Sequence, residues 1–211
     1  MPHPRQALLE PRKSPVQARS TASVSAILEA TIQVLLDVGK ERLTTTRVAY
    51  RAGVSVGTLY QYFPNKSALL QAALRDHLES VADALEEACR EESGSPLPQM
   101  ASRVVNTFLE AKMKDLKTSI ALYSVSSDVE GWKIAHKIGA RVHRAIVSML
   151  ATAREPLGKD PQLVASMMQS AMTGVSRRLL ESASPEREYE PLRQELALMM
   201  RVYLDACLSK N

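Results

Sequence analysis

The sequence predicts an all-α protein in which a small N-terminal unit of three helices is joined by a long helix to a larger helical domain. Aromatic residues make up only 4% of the 211-residue chain, and Ala, Leu, Val and Met are abundant, which suits helix-on-helix packing better than sheets. Apolar residues recur at steps of three and four along most of the chain. Between Leu43 and Leu70 that rhythm is cut at Gly53 and Pro64 into pieces about two turns long. A chain of this length buries a sizeable core as one large or two small domains.

The first helix is read from Val24, Ile27, Leu28, Thr31, Val34, Leu35 and Val38, a stripe that faces the core of its unit and ends near Gly39. Two starts compete. Residues 1–20 read as a flexible basic arm followed by the unit at 21–70, whereas Ser14-Pro15 is itself a start signal that would extend the helix through Arg19. The second helix is capped by Thr45 or Thr46, carries Val48, Ala49 and Ala52 on one side, and ends at Gly53, which enters the left-handed conformation without steric cost. Ser55 caps the third helix, whose Leu59 points back toward Val48 and Ala52. Pro64 stops it after Phe63, and Asn65 caps the next helix from Lys66.

Two short helices joined by so tight a turn match a helix-turn-helix, whose second helix enters the major groove of DNA. The outward residues suit that task. Gly57 lets the backbone approach, Val56 and Thr58 offer contacts to a thymine methyl, and Gln61 can pair with the edge of adenine. Thr45, Tyr60, Tyr62 and Lys66 supply hydroxyls and a charge for phosphates.

The run AGVSVGTLYQYFPNKSALL, within about Ser23 to Leu74, resembles the DNA-binding domain of the tetracycline-repressor (TetR) family. The resemblance implies a three-helix DNA-binding domain on an all-helical dimerising and ligand-binding domain, usually a repressor released by a small molecule. Aligned by motif, Thr46, Val56, Gly57, Thr58, Tyr60 and Gln61 take base-facing positions, and Thr45, Tyr62 and Lys66 take phosphate contacts. The expected partners are a double-stranded DNA operator, a small-molecule effector and a second copy of the chain.

Charge is distributed to match. Residues 1–75 hold ten Lys/Arg and four Asp/Glu, whereas residues 76–211 hold seventeen and nineteen. Arg5, Arg12, Lys13 and Arg19 lie in a Pro-rich segment that either follows phosphates or enters a minor groove on binding, or simply solubilises the chain.

From Asn65 to about Glu92 nothing breaks the helical pattern, which predicts a rod roughly 40 Å long. Ser93-Gly94-Ser95-Pro96 ends it. Five further helical stretches are expected, about 98–114, 116–126, 129–153, 160–182 and 186–208, so that 71–211 forms the effector-binding and dimerisation domain. The last two carry the stripes expected to pair with a second copy: Val164, Ala171, Val175 and Leu179, then Leu192, Leu196, Met199, Met200 and Tyr203. Candidate ligand-binding residues are Phe108, Met113, Leu116, Tyr123, Trp132, His136, Met168 and Met172, apolar groups with a few polar handles. Trp132 and His136, one turn apart, would present a ring and a hydrogen-bonding group together.

Other classes find little support. No Gly-rich phosphate loop, nucleophile elbow or paired-Cys motif is present, so neither catalytic residues nor a cofactor is expected. His136 and His143 stand about 10 Å apart along one helix, too far to share a metal. Cys89 and Cys207 read as free buried thiols. With no apolar stretch approaching a membrane span and no signal-peptide core in the opening segment, a soluble cytoplasmic protein is expected, with no membrane partner. A regulator that needs no ligand, or one that activates, remains the main alternative; a small-molecule-transforming enzyme is the other.

Overall fold

The computed structural model describes residues 15–208, with side chains from Ser20 onward. All its extended elements are helices: α1 (Pro15–Arg42), α2 (Thr45–Arg51), α3 (Val56–Tyr62), α4 (Lys66–Glu91), α5 (Leu97–Met113), α6 (Leu116–Val125), α7 (Gly131–Leu150), α8 (Pro161–Glu181) and α9 (Pro185–Asp205). The chain divides into two units between Leu69 and Leu70, one residue before the expected boundary.

In the first unit, α1 uses the earlier of the two start signals. Pro15 occupies the first helical position, where its missing amide leaves nothing unsatisfied. Residues 15–20 are therefore helical, which corrects their assignment to a flexible arm. Arg5, Arg12, Lys13 and the side chain of Arg19 lie outside the described residues. Gly39, at φ 73°, interrupts α1 one turn before its end.

The segment Ser20–Arg42 is, by length and composition, apolar enough to cross a membrane, contrary to the expectation above. The core helix of a globular unit passes the same test. Here Ile27, Ala30, Thr31, Val34 and Leu35 are buried, and the Thr31 hydroxyl donates to the Ile27 carbonyl at 2.7 Å, so the one polar group in that stripe is satisfied. Helix α2 packs on α1 and α3 packs on α2, with Leu43, Val48, Ala49 and Leu59 filling the space between them.

In the second unit, α5 to α9 fall within three residues of the expected stretches at every end. Pro161 and Pro185 open α8 and α9, and Asp160 caps α8 by accepting from the Gln162 amide at 3.0 Å. Helices α5 and α9 lie along one another, and α8 packs on both α7 and α9. Met100, Val104, Leu109, Ile146, Met149, Leu196 and Leu204 are essentially sealed from solvent. A polar clamp adds to this apolar core: Arg141 on α7 reaches Asp83 at 2.8 Å and Glu86 at 2.7 Å on α4. Cys89 and Cys207 are free and buried. Burial, with Glu86 nearby, pushes the Cys89 thiol up to about 12, so it stays protonated and unreactive.

Candidate nucleic-acid interface and effector cavity

The turn between α2 and α3 is built by side chains closing on nearby backbone. Thr44, not Thr45 or Thr46, caps α2: its backbone is extended, and its hydroxyl accepts from the Arg47 amide at 3.2 Å. Thr45 is already helical and has another partner, its Oγ1 lying 3.1 Å from the Tyr60 hydroxyl on α3. Gly53 takes φ 67°, and a Cβ there would meet nothing within 4 Å, so the glycine answers a backbone demand rather than a steric one. Ser55 caps α3, accepting from the Thr58 amide at 2.9 Å, with a further hydrogen bond between the Ser55 and Thr58 hydroxyls at 2.8 Å. Asn65 accepts from the Ala68 amide at 2.8 Å at the start of α4.

These bonds leave one face of α3 open. Val56, Gly57, Tyr60 and Gln61 are exposed, while Thr58 and Tyr62 are half-buried. Thr46 is exposed and shares a shallow groove beside α1 with Arg47 and Tyr50. Tyr50, 89% exposed, had not been singled out, although its place after the buried pair Val48-Ala49 turns it outward. Lys66 has a partner within the first unit. Its ammonium donates to the Lys40 carbonyl at the end of α1, so the charge serves first to close the first unit rather than to wait for a phosphate.

The second unit encloses a cavity of about 550 Å³ walled by α4, α5, α6, α7 and α8. Of the expected ligand residues, Phe108, Tyr123, Trp132 and Met172 line it. The other four do not. Met113 lies on a separate shallow groove with Tyr189. Met168 is wholly buried core, and Leu116 is half-buried away from the lining. His136 is exposed. The lining face of α7 runs through Gly131, Ala135, Ile138 and Val142, and at 3.6 residues per turn His136 sits roughly 130° from its middle. Trp132 stands at the edge of that face and is 69% exposed, so it borders the mouth. The Tyr123 hydroxyl donates to Glu181, which also pairs with Arg177; that bond raises the phenol and lowers the carboxyl.

Among the polar residues in the wall that were not anticipated, His77, Lys112 and Ser119 meet one another. The Ser119 hydroxyl donates to the Lys112 carbonyl at 2.6 Å. Its only proton is then spent, so the contact of 3.1 Å to His77 Nε2 requires the ring to donate from that nitrogen. Burial, reinforced by the Lys112 charge and opposed by Asp115, lowers His77 to about 4, so the ring is neutral at pH 7. Burial alone lowers the Lys112 ammonium to about 8.

The helices expected to form a dimer show a shifted stripe. Val164, Leu179, Leu196 and Met200 are buried within the subunit, while Ala171, Val175, Leu192 and Tyr203 are half-buried. Only Met199 stands largely free. The outward apolar residues are instead Leu163 and Met167 on α8 and Leu198, Met199 and Val202 on α9, each 47% to 59% exposed. The expected stripe described the inner face of these helices, and the adjacent positions form an outer one.

Comparison with known proteins agrees with this arrangement. Residues 27–73 match the model of bacterial regulatory proteins of the tetR family. Residues 96–204, more than half of the chain, match the tetracyclin repressor-like C-terminal domain. The chain belongs to the TetR family. It is similar to the HTH-type transcriptional regulator BetI 1 of Chromohalobacter salexigens, 32% identical over 102 residues, covering 47% of this chain and 50% of that one. The BetI regulator of Escherichia coli O139:H28 is 37% identical over 59 residues, 28% of this chain and 30% of that one. The chain thus spans half or less of the length of these curated relatives. Among solved structures, a TetR-family regulator from Mesorhizobium loti superposes with a TM-score of 0.73 at 19% identity, covering 90% of this chain and 99% of that one. The multidrug binding protein EbrR, solved with imidazole, gives 0.61 at 19% identity over 89% and 96%. At those identities the likeness is one of fold.

Proposed function

We propose that this regulator is a repressor that binds an inverted-repeat operator as a homodimer and leaves it when a small apolar or amphipathic ligand fills the cavity of the second unit. The observation that carries this reading is the cavity itself: about 550 Å³ of space lined mostly by apolar side chains, in the range of small-molecule sites. A regulator that answered to no ligand would gain stability by closing such a space, since unfilled volume forfeits packing contacts.

The proposed DNA contacts are Val56, Gly57, Thr58, Tyr60 and Gln61 for bases, with Thr45, Thr46 and Tyr62 beside them. Tyr50 and Arg47 join as phosphate contacts because both are exposed on α2. Dimerisation is assigned to the outer stripe of α8 and α9, because clustered exposed apolar side chains of this kind mark contact surfaces. Regulation follows from helix continuity. Residues 66–91 form one helix, so the same element that closes the first unit supplies Leu74, His77, Leu78, Val81, Ala82 and Leu85 to the cavity wall. A ligand that prefers one setting of α4 shifts the separation of two recognition helices away from the roughly 34–36 Å that successive major grooves require. A coupling of ~1–3 kcal/mol changes operator affinity by about five- to 150-fold.

The test is selection of bound duplexes from a random library by the full chain. An enriched inverted repeat, with half-sites about one helical turn apart, is expected. A protein that stays a single subunit and enriches no sequence would overturn the proposal.

A further inference from the structure

We infer that the cavity selects an anionic amphiphile, an organic acid whose carboxylate pairs with the Lys112 ammonium while its apolar body fills the space between α4, α7 and α8. This inference rests on the reading of the cavity as the effector site and names the chemistry of what enters it.

The charges decide the class. The cavity wall holds two cationic side chains, Lys112 and Arg177, and among the described residues no Asp or Glu lines it. They are not equivalent. Arg177 is exposed at the rim and already paired with Glu181, whereas Lys112 sits in the last turn of α5 with no hydrogen bond or ion pair to its ammonium among the described residues. The carboxylate on the neighbouring turn, Asp115, is committed to capping α6, accepting from the Thr118 amide at 3.0 Å and the Thr118 hydroxyl at 2.6 Å. His77 is neutral and donates to Ser119, so it brings no counter-charge either. A half-buried cation without a partner, set in a largely apolar wall, attracts an anion, because the apolar surroundings screen the attraction poorly. Most of the rest of the wall, Leu78, Val81, Leu85, Ile138 and Met172 among it, favours an apolar body, with neutral hydroxyls and the Gln169 amide as its other polar groups. A ligand with a positive head would meet like charge with no carboxylate to receive it, and a neutral alcohol would leave Lys112 unpaired.

The test uses the full chain and four probes: decanoate, naphthoate, decanol and decyltrimethylammonium. Binding is followed by calorimetry and by the fluorescence of Trp132, the single tryptophan, at the cavity mouth. At least one acid should bind, and decyltrimethylammonium should not. Lys112→Met should lower affinity for the acid by roughly ten- to a hundredfold, the worth of a hydrogen bond to a charged group, and leave decanol unaffected. Lys112→Arg should restore most of the loss. Circular dichroism and decanol binding establish that the variants are folded. If the cation binds best, or if Lys112→Met binds the acid as the parent does, the anion assignment is wrong while the cavity stands as a ligand site. If none of the four binds, both readings fall. If an acid binds through Lys112 but the operator stays bound, the anion assignment holds and ligand-driven release does not.

Discussion

Lys112→Met should make the protein more stable, and the size of the gain can be worked from the burial of the side chain. The ammonium falls from its ordinary 10.5 to about 8 through desolvation alone. At ~1.4 kcal/mol per pH unit, that displacement corresponds to about 3 kcal/mol by which the fold disfavours the charged form. The sign follows from proton counts. Below about pH 8 the lysine is charged in both folded and unfolded chains, and the fold bears the whole penalty. Between about 8 and 10.5 the folded chain has released the proton and the unfolded chain still holds it, so stability rises with pH across that window. Methionine has a similar length and no charge, so it removes the penalty while keeping the contacts of the stem. The variant should therefore be up to about 3 kcal/mol more stable at pH 7, with the advantage shrinking toward nothing by pH 10.5. Urea unfolding followed by far-UV circular dichroism, at pH 7 and pH 10 and at one fixed protein concentration, measures the difference. Equal midpoints at pH 7, or a gain that does not change with pH, would refute the claim that Lys112 is held charged and unpaired.

Gln61→Ala should relax base preference at one position of each half-site by ~1–3 kcal/mol, read from selection of random duplexes, with the rest of the site unchanged. Gly53→Ala should cost about 1–2 kcal/mol in urea unfolding, because the added Cβ meets open space and only the left-handed backbone resists it. Met167→Glu places a carboxylate in the outer stripe of α8 at a cost on the order of several kcal/mol in any interface that excludes water. Sedimentation should then find single subunits where the parent chain is paired. Lys66→Ala should lower the unfolding midpoint through loss of the bond to Lys40, and it should leave the salt dependence of DNA binding close to that of the parent.

How much was legible depended on the range over which each signal acts. Caps and breakers work within four residues, so Gly53, Ser55, Pro64 and Asn65 placed α3 and the start of α4 correctly from the chain alone. The cap of α2 lies one residue before Thr45 and two before Thr46, the two expected, because three consecutive threonines can each serve. The choice fell on Thr44 once Thr45 joined the helix, with its hydroxyl against Tyr60 on another helix. The cavity was half-legible: Phe108, Tyr123, Trp132 and Met172 are large residues that any lining would use. His77 and Lys112 escaped because a charged or polar residue on a helix ordinarily marks its wet face, and only the convergence of five helices turns that face inward. The stripes on α8 and α9 divide for a related reason, with Val164, Leu179, Leu196 and Met200 turned into the chain's own core. A helix buried on one side by its own subunit and apolar on the other carries two adjacent stripes, and periodicity alone does not say which of them meets solvent.

The two units also differ in how completely their polar groups are answered. In the first, the hydroxyls of Thr31, Thr44, Thr45, Ser55 and Thr58 all have partners, and all of those bonds but the one from Thr31, which lies inside α1, serve the turn or a helix end. That consistency is what a unit needs if its surface, not its interior, meets DNA. In the second unit the pattern breaks at two places. Glu92 leaves one buried carboxylate oxygen without a partner, away from the cavity, and nothing in the structure explains it. Lys112 leaves a cation without a partner on the cavity wall. A fold optimised for stability alone would put an apolar side chain of the same length there, because removing an unpaired, partly desolvated charge strengthens the fold. The cost is local, it lies where five helices converge on open space, and an organic acid entering that space would relieve it. Stability and ligand recognition therefore make opposite demands at position 112, and measuring both on Lys112→Met separates a functional lysine from one that is merely tolerated.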